Sequence, residues 1–264
     1  MEVLFMYARI FLAAAAFLSL RGYAATVPPQ NQKVAVLELF TSEGCSSCPQ
    51  ADVLLQQVHG RTTQDGQLVI GISEHVTYWN SLGWKDPYSA ETFTARQEKY
   101  AARLADGQPY TPQAVLNGRV QLLGSDSRAL QDALHREVAK KSVEVTISSA
   151  NVQPQTIDLK FAVQGLVQGS EKAKPVEIVA VITDDTDRSS VLRGENSGRS
   201  LTHVSVARLM TTVATVRNDG EQSVRLALPS SLHLAHGAQH LVLLAQVPHQ
   251  EEILGATSVA LDVK

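Results

Sequence analysis

Sulfur is scarce in this chain: 264 residues carry two cysteines and three methionines. Two cysteines exclude a disulfide-stapled scaffold, which needs several bridges, and they exclude a four-cysteine zinc site. Aromatic residues make up 5% of the chain, so any local concentration of them stands out. Charge of one sign is missing as well: 23 Lys and Arg stand against 26 Asp and Glu, a net charge of -3. That balance creates no field for recruiting nucleic acid, and no nucleic-acid partner is expected. Long apolar runs are absent. The stretch Ile10 to Leu20 falls short of the roughly 20 residues that span a bilayer, and no second run of about 18 follows. Ordinary core material is plentiful, at 44% hydrophobic residues.

Ile10 to Leu20 (IFLAAAAFLSL) is followed by Gly22, Tyr23 and Ala24, where small residues fit a cleavage site. Residues 1–24 therefore read as a signal peptide, and the mature chain as exported, periplasmic or secreted, with no stable membrane insertion after cleavage. An uncleaved anchor is the alternative, because Glu2 offsets Arg9 in the leading segment.

Both cysteines fall in FTSEGCSSCPQAD, Phe40 to Asp52. In an oxidising compartment a close pair is either a staple or a working redox couple. A staple between Cys45 and Cys48 closes almost no loop, and stabilisation grows with the loop closed. The pair thus reads as redox-active. It also sits at a junction: Lys33 to Thr41 (KVAVLELFT) has strand character, and Pro49 to Gln57 has helical spacing at Ala51, Leu54, Leu55 and Val58. Unpaired N–H groups and the positive dipole end at a helix start favour a thiolate at Cys45.

The later segments follow in order. Leu68 to Ser73 reads as a buried strand. Tyr110-Thr111-Pro112, Gln113 to Leu116, the turn Asn117-Gly118 and Arg119 to Leu123 read as a proline loop leading into a hairpin. Ser125 to Lys141 reads as a closing helix. This succession resembles the thioredoxin-like superfamily. The resemblance implies a cis bond before Pro112, with Pro112 and the Thr111 backbone holding a substrate chain beside the cysteines. Glu38 is the nearest match to that superfamily's buried acid, one residue further from Cys45 than the pattern expects. It reads either as a proton acceptor for Cys48 or as a residue bonded elsewhere.

More closely, ELFTSEGCSSCPQAD, HVTYWNSLGWKDPYS, YTPQAVLNGR and GENSGRSLTHVSVAR are similar to a family of exported bacterial proteins catalogued as a domain of unknown function, number 1223. The likeness covers most of the mature chain. It implies a thioredoxin-like fold and fixes neither substrate nor direction of electron flow.

His75 follows a strand and should emerge near Cys45, where an imidazole can take a proton or stabilise a thiolate. Tyr78, Trp79, Trp84 and Tyr88 form a dense aromatic set. They either wall a substrate site, with Tyr110, or pack an inserted segment over about 76–109 that is closed by a helix from Ala90 to Leu104.

Beyond Lys141 the period changes to two. Val143–Ser149, Ile157–Val163, Val176–Thr183, Val204–Val216, Val224–Leu228, Leu241–Val247 and Ala256–Val263 read as strands, with turn-rich segments such as DDTDRSS between them. The expected architecture is an α/β thioredoxin-like domain over 33–141 with a helical and aromatic insertion, followed by a mainly antiparallel β-sandwich-like domain over 142–264. Arg193 to His203 (RGENSGRSLTH) either brings Glu195, Asn196, Arg199 and His203 over the cysteine site to bind a polar group or bonds backbone and joins the two domains.

Taken together these residues point to a thiol-disulfide oxidoreductase, with Cys45 attacking and Cys48 resolving. Its partners would be protein thiols or disulfides or a small thiol, with no cofactor beyond the pair itself. Two readings from other classes stay open: a copper or zinc carrier using Cys45, Cys48 and His75, and a non-catalytic binding module. Oligomeric state is not readable.

Overall fold

The computed structural model describes residues 33–138, 143–166, 175–235 and 238–262. The expected signal peptide, the last residues of the expected closing helix and part of the segment from 164 to 175 lie outside them.

Strand β1 (Val34–Thr41) has seven of its eight residues buried, which its unbroken VAVLELFT run demands of a central strand. It runs parallel to β2 (Leu68–His75) and antiparallel to β3 (Gln113–Leu116). Between β1 and β2 lies helix α1 (Pro49–Val58), with proline in its first turn, where no N–H is needed. Gly71 lets α1 come close: a Cβ there would lie 2.6 Å from Leu55 Cδ1. Helix α2 (Glu91–Leu104) follows β2. Asn117 and Gly118, both with positive φ, turn β3 into β4 (Val120–Leu123). Helix α3 (Ser127–Glu137) is capped by Asp126, whose Oδ1 accepts from the Ala129 N–H at 2.9 Å.

The remaining strands are β5 (Glu144–Gln153), β6 (Thr156–Gln164), β7 (Val176–Ser190), β8 (Ser200–Val216), β9 (Gly220–Ala227), β10 (Gln239–Gln246) and β11 (Ile253–Ala260). They correct the expected architecture. An α/β thioredoxin-like domain with a helical insertion, followed by a β-sandwich, is not what forms. The described chain is mostly β, and eight strands make one mixed sheet in the order β11-β10-β7-β8-β2-β1-β3-β4. The strands expected to build a sandwich of their own, β7, β8, β10 and β11, extend the sheet of β1 and β2 through a parallel contact between β2 and β8, at Ser73 and Val206. Only β5, β6 and β9 form a separate three-stranded sheet. The segment DDTDRSS, expected as a turn, is the second half of β7, paired with the start of β8 as far as Ser190 with Ser200.

The physical reason is the alternation along β7. Ile178, Ala180 and Ile182 pack with Ile157, Leu159 and Phe161 of β6, while Val179 and Val181 pack with Val36, Ile70 and Ile72. A strand apolar on both faces is stable only inside a sheet covered on both sides. Each such fully buried Val, Ile, Leu or Phe side chain contributes about 1.5–3 kcal/mol. Helices α1 and α3 pack on Leu37, Leu39 and Val69 on one face. Helix α2 covers the other, with Phe93 against Val36, Ile70 and Ile72.

Candidate functional site

Cys45 and Cys48 are joined in a disulfide, with their Cα atoms 5.4 Å apart. The pair lies in the turn between β1 and α1, and Cys48 is the residue preceding the first helical position. Both cysteines are 0% exposed, whereas the intervening Ser46 and Ser47 are open to solvent. Cys45 Sγ lies 3.4 Å from Ser47 Oγ.

The cover comes from far along the chain. Asn196 Nδ2 donates to the carbonyls of Glu43 and Cys45, each at 2.9 Å, and Arg199 Nη1 donates to Asn196 Oδ1 at 2.8 Å. Glu195 accepts from the Ser46 N–H at 3.0 Å, and the Ser46 side chain together with this N–H holds its carboxyl below the usual range. Of the segment Arg193 to His203, Glu195 and Asn196 thus bond the backbone of the cysteine turn and Arg199 holds Asn196, while His203 lies on β8 against Glu43 and Asp52.

Beneath the loop lies a cluster of buried charge. Glu43, two residues before Cys45, is 0% exposed. Its carboxylate accepts from Trp84 Nε1 at 2.7 Å and from Ser189 Oγ, and it lies 3.3 Å from His203 Nε2. Burial alone would raise its pKa, yet the His203, Ser189 and Trp84 contacts outweigh that and hold it below the ordinary value. Asp52, on α1, accepts from Thr41 Oγ1 at 3.0 Å and faces His203 Nδ1 at 3.5 Å, an ion pair rather than a hydrogen bond. Burial works against the charged form of His203, but the contacts to Asp52 and Glu43 win and push its pKa up to about 10.

His75 packs edge-on against His203, with ring centroids 4.7 Å apart, and Tyr88 meets both rings edge-on as well. Burial and neighbouring carboxylates push the Tyr88 hydroxyl up to about 12. His75 Nδ1 is 2.7 Å from Asp86 Oδ2, and the same oxygen accepts from the Glu43 N–H at 2.8 Å. Burial opposes ionisation of Asp86, but His75 and the Glu43 and Tyr88 N–H groups keep its pKa low. His75 is therefore tied to the cysteine turn through Asp86 and the Glu43 backbone.

The aromatic residues are hydrogen-bonded within the chain, although Tyr78 is 40% exposed and Trp79, Trp84, Tyr88 and Tyr110 are half-buried. Trp79 Nε1 donates to Thr111 Oγ1 at 2.8 Å, and Trp79 Cβ lies 3.1 Å from where a Cβ on Gly44 would be. This indole bridges the cysteine turn and the proline loop, where the Thr111-Pro112 bond is cis. Tyr78 OH donates to Gln97 Oε1 at 3.1 Å, and Tyr110 OH donates to Gln121 Oε1. Pro112 and Ala51 both adjoin Gly124, which seats the proline loop beside the start of α1.

Glu38 belongs elsewhere. Its side chain is on the α2 face, where Oε1 accepts from Arg96 Nε at 2.5 Å and Oε2 from Tyr100 OH at 2.7 Å. Both oxygens are engaged there, so the expected relay to Cys48 gives way to a bonded structural role. The ligand set Cys45, Cys48 and His75 is likewise not assembled. The sulfurs are bonded to each other, and among the described residues no group of three His, Cys, Asp or Glu side chains is arranged to hold a metal ion.

Glu43, Asp52 and Asp86 went unread in the sequence. A signal was present for the first two: acids flanking a cysteine pair in a stretch continuing an apolar strand must be either solvated or paired.

Among solved structures, protein AGR_C_4864 from Agrobacterium tumefaciens is similar over 86% of this chain and 93% of its own, at 28% sequence identity and a TM-score of 0.62. HBP35 of Porphyromonas gingivalis shares the fold over 87% of this chain and 76% of its own, at 14% identity and a TM-score of 0.64. No curated protein matches the sequence. A family model matches residues 36–246, the span that holds the cysteine turn, its covering segment and the buried charge between them, and the chain belongs to that family, described as Protein of unknown function (DUF1223).

Proposed function

We propose that the chain is an exported thiol-disulfide redox protein whose working group is the Cys45–Cys48 disulfide. The observation that carries this reading is the disulfide's setting: the only two cysteines of the chain are joined across two exposed serines at a helix start, over a bed of buried ionic side chains. A crosslink spanning so short a loop adds little stability, so its value lies in its chemistry. A thiolate of a protein or small-thiol partner attacks one sulfur; the S–S bond breaks, and the other sulfur leaves as a thiolate and takes up a proton. A second partner thiolate then attacks the mixed disulfide, leaving a Cys45, Cys48 dithiol and an oxidised partner. In reverse, Cys45 attacks a partner disulfide and Cys48 resolves the intermediate. Because both sulfurs are buried, exchange requires the cysteine turn or the Glu195 and Asn196 side chains bonded to it to move. Export is supported by the disulfide and by the apolar run at Ile10 to Leu20.

The test is catalysed exchange by the purified chain. The wild type should accelerate reduction of a protein disulfide by dithiothreitol, Cys45→Ser should fall to the uncatalysed rate, and Cys48→Ser should trap a mixed disulfide with the substrate. Equal rates for wild type and Cys45→Ser would overturn the reading in favour of a binding module.

A further inference from the structure

The two acids nearest the cysteine pair meet on one imidazole. Glu43 precedes Cys45 by two residues and Asp52 follows Cys48 by four, so they lie on opposite flanks of the turn. Glu43 Oε1 lies 3.3 Å from His203 Nε2, and Asp52 Oδ2 lies 3.5 Å from His203 Nδ1. The imidazole is 0% exposed, and its partners are 0% and 6% exposed. It comes from β8, 160 residues after Glu43. Two buried carboxylates, one on the side of each ring nitrogen, favour the charged form of the imidazole. Ser189, Trp84 and Thr41 fix the two carboxylates from outside, leaving His203 as the group common to both.

We propose that His203 is a positioning residue for the cysteine pair: its imidazolium clamps the Glu43 and Asp52 flanks together and so keeps the two thiols in closing distance once the disulfide is opened. The proposal rests on the redox reading above and adds how the pair's potential is set. Opening takes two electrons and two protons from a dithiol such as dithiothreitol, which becomes its cyclic disulfide as Cys45 and Cys48 become thiols. If the flanks stay clamped, the reduced loop gains little freedom and the disulfide re-forms readily. If the clamp is cut, the reduced loop spreads and opening is favoured.

The first measurement is the equilibrium of the full chain with dithiothreitol. His203→Gln should shift it toward the protein dithiol by about tenfold, with Asp52→Asn shifting it the same way by less. An unchanged constant overturns the clamp. So does a shift toward the disulfide, which would mean that His203 acts by stabilising a thiolate. The second measurement needs no redox activity. In the Cys45→Ser/Cys48→Ser chain, amide exchange over residues 42–52, relative to Leu241 to Ala245 in β10, should stay slow. Adding His203→Gln should speed it by about tenfold. An unchanged ratio overturns the clamp. A wild-type disulfide inert to dithiothreitol in the folded chain instead sinks the redox reading, and the exchange ratio then decides the clamp alone.

Discussion

Two neighbouring residues, Glu74 and His75, leave β2 on opposite faces and enter two unrelated polar clusters. His75 joins the cysteine side. Glu74 joins Glu38, Arg96, Tyr100 and Gln246 under α2. There Arg96 Nε lies 2.5 Å from Glu38 and 3.8 Å from Glu74. Burial, and then the Glu38 charge, push the Glu74 carboxyl well above its usual range, so one arginine is balanced by one carboxylate and one neutral acid. Arg96→Met leaves Glu38 buried without its cation and should cost about 3–5 kcal/mol in denaturant unfolding. Glu74→Gln should stay within about 1 kcal/mol of the wild type at pH 5 and be the more stable protein at pH 8, where the wild type resists an ionisation that the unfolded chain accepts. At this scale the sequence was half legible. Cys45, Cys48, Pro112 and the polar segment 193–203 could be singled out by type and spacing. Glu38 could not be assigned to a face from its distance to Cys45, because the bend at Ser42 to Gly44 breaks the two-residue count that alternation relies on.

Elements were the most legible scale. All seven strands expected beyond Lys141 occur, most within a few residues of their expected ends. The helix expected from Ala90 begins at Glu91, and the Asn117-Gly118 hairpin forms as its turn chemistry requires. These features are local, set by alternation, caps and positive φ. What alternation does not carry is which strand sits beside which. The joining of β5 to β11 shows how tight that placement is: the Val143 N–H donates to the Leu254 carbonyl at 2.8 Å, and a Cβ on Gly255 would lie 1.8 Å from the Val143 carbonyl oxygen. Backbone cannot yield as a side-chain tip can. Gly255→Ala should therefore lose at least about 1–3 kcal/mol in denaturant unfolding, while Gly60→Ala, with open space and a positive φ, reports the backbone cost alone.

For the whole molecule, the buried ionic groups set a window of pH. Glu43 and Asp86 have pKa values held below their ordinary 4.5 and 3.8, so their contribution is present above those values and is lost as pH falls through the depressed ones. His203 is raised from 6.5 to about 10; its contribution is complete below 6.5 and is lost as pH rises toward 10. Glu74, raised from 4.5, adds to the loss on the alkaline side. Thermal unfolding should therefore show stability falling as pH rises from about 6.5 toward 10. A midpoint that is flat or rises from pH 6.5 to 10 would contradict the assignment of charge to His203. The single sheet was the least legible feature of all, because the β2–β8 contact at Ser73 and Val206 joins segments more than 130 residues apart and leaves no local pattern.

The hydrogen bond from Asn196 to the Cys45 carbonyl spans 151 residues of sequence. In a chain made from its amino end, Cys45 and Cys48 emerge long before Asn196 and His203. If the chain is exported unfolded, in line with the function proposed above, an oxidant would meet bare thiols before their cover arrives.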